Sequence, residues 1–173
     1  MPAVLAALLL LAGSGPPSAA VPGPPSLTRV VLADGAAGRT LADHLLCEGE
    51  QAVLRWRNSL FGVDVTETFE ARAGGLLLTG VTFALPGGGE PPRVRAEDVE
   101  DLYHTGGPFR AEGLARPVAR VTFRVGEIGR PRFTLGGRTV AFADEVGFGG
   151  TVRLVASAAA ATAASPACPA RRS

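Results

Sequence analysis

The chain of 173 residues contains no lysine, and each of its 17 basic side chains is an arginine. A phosphate-binding loop that ends in Gly-Lys-Ser/Thr is therefore excluded. The formal net charge is only +1, and there is a single tryptophan and a single tyrosine. Because a nucleic-acid-binding protein needs a clustered basic face with aromatic side chains, this composition argues against that class of partner.

Histidine is scarce as well, with His44 and His104 as the only two. Two isolated histidines do not provide the ligand spacing of a metal site. No Gly-x-Ser-x-Gly segment supports a serine hydrolase built on Ser59 and His104. The sequence therefore predicts a protein that is not an enzyme and has no catalytic residues, metal or cofactor. A hydrolase that uses Ser59 is the weakest alternative.

Long apolar runs are absent, and the run at residues 3–12 is too short to span a bilayer comfortably. Glycine and proline follow it, and then the small residues 18–20, which is the layout of a secretory signal peptide cleaved near Ala20. A signal peptide ordinarily has a basic residue before its apolar run, and here no arginine precedes it. We expect an exported protein, extracellular or in the cell envelope. Residues 1–20 form the signal peptide or a short uncleaved anchor, and residues 21–25 a linker.

Between residues 26 and 157, short alternating runs separated by glycine or proline dominate. They predict nine strands, at residues 28–32, 44–47, 52–58, 63–72, 76–83, 119–125, 132–135, 139–142 and 151–155. Many short strands favour an all-β fold, a single antiparallel β-sandwich or small barrel of about eight to nine strands. At most one short helix is expected, over residues 96–105. Gly136-Gly137 predicts a two-residue hairpin turn.

The C-terminal residues 158–173 are rich in alanine and proline and lack an amphipathic pattern that would hold them on a core. We expect a disordered tail, and a short helix in the alanine run is the alternative. Cys47 and Cys168 are the only cysteines. In an exported protein they could form a disulfide between domain and tail, and two unpaired thiols fit the sequence equally well.

Two polar residues occupy apolar faces of neighbouring predicted strands. Asn58 shares a face with Leu54 and Trp56, and Glu67 shares one with Val65 and Phe69. Pairing of the two strands in an antiparallel hairpin would put both misfits on the same side. Because a buried carboxylate needs a partner, the pair is a candidate site.

Both residues also have a structural interpretation. Glu67 could lie on an edge strand or form an ion pair with an arginine, and otherwise it would hold a cation, an arginine or a ligand hydroxyl. Asn58 and Ser59 could simply shape a turn through hydrogen bonds to the backbone. The Gly87, Gly88 and Gly89 run could present backbone N–H groups to an anion, although a flexible loop is the default.

The order Trp56-Arg57-Asn58-Ser59-Leu60, then Val65 to Phe69, then Gly87 to Pro91, resembles an exported bacterial family called domain of unknown function 1850. In that family the first motif commonly reads His-Ser-Val with a spaced Glu. Here Asn58 replaces the His, while Ser59 and Glu67 match. Gly87 and Gly89 correspond to a Gly-Ala-Gly motif in which Gly88 replaces Ala.

The resemblance implies a small exported β domain that is an accessory of a tripartite ATP-independent periplasmic (TRAP) transporter of the TAXI type. Its partner would be a solute receptor or a membrane subunit. Membrane contact would occur only through an uncleaved N-terminus. The residues leave two hypotheses: an accessory protein in which Asn58, Ser59, Glu67 and the glycine loop are a structural cluster, or a module that binds a small solute or cation with them.

Overall fold

The computed structural model describes residues 27–72, 74–160 and 168. Ten strands and two short helices make up this part of the chain. The strands are β1 (Leu27–Asp34), β2 (Thr40–Cys47), β3 (Gln51–Asn58), β4 (Val63–Arg72), β5 (Gly75–Ala84), β6 (Phe109–Val118), β7 (Arg120–Arg124), β8 (Arg132–Leu135), β9 (Arg138–Ala141) and β10 (Thr151–Ala159). The helices are α1 (Val99–Thr105), preceded by a 3₁₀ turn at Ala96–Asp98, and α2 (Phe142–Val146).

The strands form two antiparallel sheets in a β-sandwich-like arrangement. The small sheet has the order β2-β1-β10-β7, and the large sheet has the order β6-β5-β4-β3-β8-β9. The predicted all-β fold is confirmed, with ten strands where about eight to nine were expected, and with the five-residue helix α2 beyond the one short helix that was expected. The predicted turn at Gly136-Gly137 joins β8 to β9, and both glycines have the positive φ that such a turn requires.

Each of the nine predicted strands corresponds to an observed strand, and β6 is the one that the pattern missed. Between Leu78↔Arg116 and Gly80↔Glu112 the register with β5 shifts, so β6 carries extra residues there. Gly113, with φ of +75°, lies in this bulge. A bulge interrupts the period of two on which the sequence prediction depends.

One face of the large sheet is covered in two different ways. Toward β3 and β8 it packs against the small sheet, and Leu54, Phe133 and Leu154 belong to this core. Toward β5 and β6 it packs against α1, and Phe83 and Phe109 belong to this second core. Trp56 and Leu78 contact both cores and mark the boundary between them.

Cys47 and Cys168 form a disulfide across 121 residues of sequence. Of the two alternatives for the cysteines, the structure therefore contains the bridge between domain and tail. Such a bond is typical of an oxidising compartment outside the cytoplasm. Within the described ranges, no helix has the length and apolar character needed to cross a membrane.

The last strand extends past the boundary that we expected at residue 157. Ala158 and Ala159 pair with Thr28 and Leu27 of β1, since backbone pairing needs no amphipathic side-chain pattern. The predictions for residues 1–26, 161–167 and 169–173 lie outside the described residues.

Candidate functional site

A cavity of about 420 Å³ opens at one end of the sandwich, and we call it the inter-sheet cavity. The large sheet contributes Leu54, Trp56 and Asn58 from β3 and Glu67 from β4. The small sheet contributes its edge strand β7. The residues that line the cavity are Leu54, Trp56, Arg57, Asn58, Ser59, Glu67, Thr122, Phe123, Arg124, Gly126, Gly129 and Pro131.

The cavity lies where the two covers of the large sheet meet. Because β7 is an edge strand of only five residues, the small sheet ends there, and α1 covers the neighbouring face instead. Among the described strands, β7 has a neighbour in the small sheet on one side only, and the open side of an edge strand can pair with another group. The boundary between the cores thus leaves a space with both apolar walls and polar groups.

Glu67 lies at this boundary, opposite Leu54 of β3 and Val81 of β5. The strand β4 is an interior strand of the large sheet, so the edge-strand interpretation does not apply. The Tyr103 hydroxyl donates to Oε1 of Glu67 over 3.2 Å, and the Trp56 side chain also hydrogen-bonds to this carboxylate. Among the described residues, no arginine is within ion-pair distance of it. Its partners are neutral donors.

Burial raises the pKa of the Glu67 carboxyl, and the hydrogen bonds from Tyr103 and Trp56 offset only part of this effect. Burial also raises the pKa of Tyr103, as does the nearby Glu67 charge, so its hydroxyl keeps its proton at neutral pH. Tyr103 is fixed by the rings of Phe83, with centroids 4.9 Å apart, and Phe109. The hydrogen bonds to the Glu67 carboxylate therefore do not fully offset the cost of its burial, and the tyrosine that donates one of them is held in place by aromatic packing.

Asn58 shapes a turn through hydrogen bonds to the backbone, which is the structural interpretation considered for it above. Its Oδ1 accepts hydrogen bonds from the N–H groups of Leu60 (3.0 Å) and Phe61 (3.2 Å), which shape the turn between β3 and β4. Ser59 is exposed in the same turn. Both residues line the inter-sheet cavity together with Glu67, so the structure places these three sequence candidates around one space.

The remaining candidates lie elsewhere. Gly87, Gly88 and Gly89 form an exposed loop after β5, and they do not line the inter-sheet cavity. The structure therefore does not bring these glycines together with Glu67 in this cavity. The loop begins with a turn in which the Leu85 carbonyl accepts a hydrogen bond from the Gly88 N–H at 2.9 Å. The disulfide lies at the end of the sandwich where β2 ends, opposite the cavity.

Several residues at the site were not among the candidates from the sequence, and the most important of them are Trp56, Tyr103, Phe123 and Arg124. The alternation of β7 places Phe123 on the inner side and Arg124 on the exposed side. Tyr103 is the only tyrosine in the chain, and it lies in the segment 96–105 over which a short helix was expected. Nothing local connected it to Glu67, from which it is separated by 36 residues.

The residues of the hydrolase alternative are not joined. In the described ranges no hydrogen bond links Ser59 to a histidine, and the side chain of His104 is 78% exposed with Glu100 at 4.0 Å. The same ranges contain no cluster of three or more His, Cys, Asp or Glu residues that could hold a metal ion.

Comparisons of the chain with protein-family models, with curated proteins and with solved structures find no match. The resemblance to the domain of unknown function 1850 rests on its motifs alone. The function is therefore inferred from the chemistry of the inter-sheet cavity.

The raised pKa of Glu67 predicts a specific dependence of stability on pH. A raised pKa in the folded state contributes stability below the ordinary value of the group, and this contribution is lost as the pH rises through the raised value. In Glu67→Gln an amide oxygen still accepts from Tyr103, and no charge is buried. We expect its free energy of unfolding at neutral pH to equal or exceed that of the wild type by up to about 1 kcal/mol.

Denaturant unfolding of both proteins at about pH 4 and pH 7 checks this expectation. The difference between them should shrink at the acidic pH. A Glu67→Gln protein that is about 3–5 kcal/mol less stable at neutral pH would instead show that Glu67 belongs to a buried ion pair.

Proposed function

We propose that this protein is an exported module that binds a small solute in the inter-sheet cavity, with Glu67 as the group that recognises it. The observation that carries the proposal is a partly buried carboxylate whose only described partners are neutral donors, facing a cavity of about 420 Å³. A cavity of this size, with apolar walls and few polar groups, has the character of a ligand site.

The chemistry of the cavity favours an organic ammonium group. Glu67 is the one carboxylate among the lining residues that the structure describes, whereas Ca²⁺ takes six to eight oxygen ligands. A positively charged amine would supply the opposite charge that Glu67 lacks. Trp56 and Phe123 provide aromatic rings beside it, and such rings attract organic cations.

Arg124 would allow the cavity to bind zwitterions as well as simple amines. It lines the cavity from β7, it is exposed, and it makes no ion pair with the described acids. Its guanidinium can bind a carboxylate with two parallel hydrogen bonds. A small amino acid would then place its ammonium group toward Glu67 and its carboxylate toward Arg124.

Export supports this role. The disulfide is typical of an oxidising compartment, and the N-terminal residues have the layout of a signal peptide. The resemblance to the family of domain 1850 suggests that the protein works in the cell envelope, beside a TAXI-type uptake system.

Thermal unfolding of the full chain with its disulfide intact tests the proposal. The additives are alkylamines, amino acids, simple carboxylates and Ca²⁺, each at constant ionic strength. A ligand at ~100 times its dissociation constant should add about 2.7 kcal/mol, which raises the Tm by several degrees. Amines and amino acids should shift the Tm, and carboxylates that lack an amine should not.

Matched variants make the test specific. Glu67→Gln should remove the shift while the protein stays folded, and Glu97→Gln, an exposed glutamate next to α1, should keep it. Arg124→Gln should weaken the response to amino acids and leave that to alkylamines unchanged. An equal shift in Glu67→Gln and the wild type would refute the assignment.

A second function, docking to a transporter subunit, is favoured by one observation. The large exposed hydrophobic residues Leu60, Leu85, Ile128 and Phe148 are all on loops at the cavity end of the sandwich. A set of exposed apolar side chains at one end is a feature of interaction surfaces. If none of the solutes changes the Tm, docking becomes the better supported function, and the cavity would then be part of its interface.

A further inference from the structure

A second depression lies on the outer face of the large sheet, and we call it the arginine groove. Four arginines line it: Arg55, Arg57, Arg130 and Arg132. Asp64 is the one acidic residue among the described lining residues, and Arg57 already pairs with it over 3.2 Å. The groove has a volume of about 510 Å³. Its lining shares Trp56, Arg57 and Gly129 with that of the inter-sheet cavity, whereas Arg55, Arg130 and Arg132 line the groove and not the cavity.

The register of the sheet brings two of these charges together. Arg55 of β3 is directly opposite Arg132 of β8, so their Cβ atoms are about 5 Å apart on the same face. Like charges in this position repel each other and destabilise a sheet. On its other side Arg55 is opposite Thr66, which carries no charge. The repulsion is thus not neutralised within the sheet.

The backbone at Arg130 is a second, independent observation. Arg130 has φ of +38° and is the one residue other than glycine with a positive φ in the described ranges. An asparagine or glycine would adopt this conformation at lower cost. Its guanidinium lies 6.0 Å from the centre of the Phe148 ring, and its Nε donates to the Glu127 carbonyl. A strained residue held in place in this way is typical of a functional site.

We infer that the arginine groove binds an oxyanion of the phosphate class, held by the guanidinium groups of Arg55, Arg130 and Arg132. Guanidinium groups match the oxygens of phosphate with paired hydrogen bonds. The anion would neutralise the opposed charges of Arg55 and Arg132. Its binding would also explain why an arginine occupies the strained position 130. The nearby acids Glu127 and Asp144 make no ion pair with these arginines in the described ranges, so they do not compete for them.

The same chemistry is present in free phosphate compounds and in the headgroups of anionic lipids. Inorganic phosphate and pyrophosphate are titrated into the full chain by calorimetry, at constant ionic strength with chloride as the replacement anion. In parallel, the protein is sedimented with phosphatidylglycerol vesicles and with phosphatidylcholine vesicles. Binding of phosphate or pyrophosphate indicates a free ligand, and binding confined to phosphatidylglycerol indicates a lipid headgroup.

The variants are Arg55→Gln and Arg132→Gln, and Arg138→Gln on β9 is the control for a lost surface charge. Each groove variant should weaken anion binding roughly tenfold or more, and the control should bind like the wild type. Removal of one of the two opposed charges should leave the Tm in chloride unchanged or raise it. Such a result would show that the weaker anion binding is not caused by unfolding of the variant.

Arg130→Asn gives a further test, because it should change stability and anion affinity in opposite directions. Asparagine tolerates the left-handed conformation better than arginine, so the Tm should rise while affinity for the anion falls. The inference is overturned if neither phosphate, pyrophosphate nor phosphatidylglycerol vesicles bind. It is also overturned if the groove variants bind as tightly as Arg138→Gln.

Discussion

Truncation of Phe83 to alanine is expected to lower the free energy of unfolding by about 3–5 kcal/mol. Phe83 is fully buried, and its ring stacks on that of Phe109 with centroids 4.6 Å apart. It also meets the edge of Tyr103. The substitution therefore removes a large apolar side chain and one wall of the support that positions the hydroxyl group next to Glu67.

This change should affect binding as well as stability, and denaturant unfolding with ligand titration measures both. Leu46→Ala is the matched control, since Leu46 is buried near the disulfide and does not belong to the aromatic group around Tyr103. It should lose about 2–5 kcal/mol of stability but keep its affinity for amines. A folded Phe83→Ala protein with unchanged affinity would mean that Tyr103 does not position Glu67.

Loss of the disulfide should have the next largest effect. The bond closes a loop across 121 residues, and cross-linking a loop of this length restricts the unfolded chain strongly. We expect the double variant Cys47→Ala/Cys168→Ala to lose about 2–5 kcal/mol of stability. Reduction of the wild type should have a similar effect, measured as a fall in Tm.

The double variant itself supplies the control, because a reducing agent should leave its Tm unchanged. Since the disulfide is at the end of the sandwich opposite the cavity, a folded double variant should still respond to amines. A wild-type Tm that is insensitive to reduction would show that the bond does not stabilise the domain.

Much of the fold followed from local sequence patterns. Alternation of apolar and polar residues located nine strands, and Gly136-Gly137 located a hairpin turn that the structure contains. The strand β6 was missed because its bulge near Gly113 breaks that alternation. The order of the strands in the two sheets depends on pairing between distant segments, which local patterns do not encode.

The candidate site was predictable only in part, for a similar reason. Glu67 was found because a carboxylate on an apolar strand face conflicts with the pattern around it. The glycine loop was grouped with it through motif resemblance, and the structure places that loop outside the cavity. The contact with Tyr103 and the opposition of Arg55 and Arg132 arise from tertiary packing and strand register. Neither of these two features can be predicted from the spacing of the residues along the chain.

Trp56 allows the most direct test of solute binding in the inter-sheet cavity. It is the only tryptophan in the chain, it lines the cavity, and it hydrogen-bonds to Glu67. Its fluorescence is therefore recorded while alkylamines and amino acids are titrated into the wild type and into Glu67→Gln. Binding beside Glu67 predicts a saturable change in emission in the wild type and none in the variant. A wild-type emission that no amine or amino acid changes, or an equal change in both proteins, would contradict it.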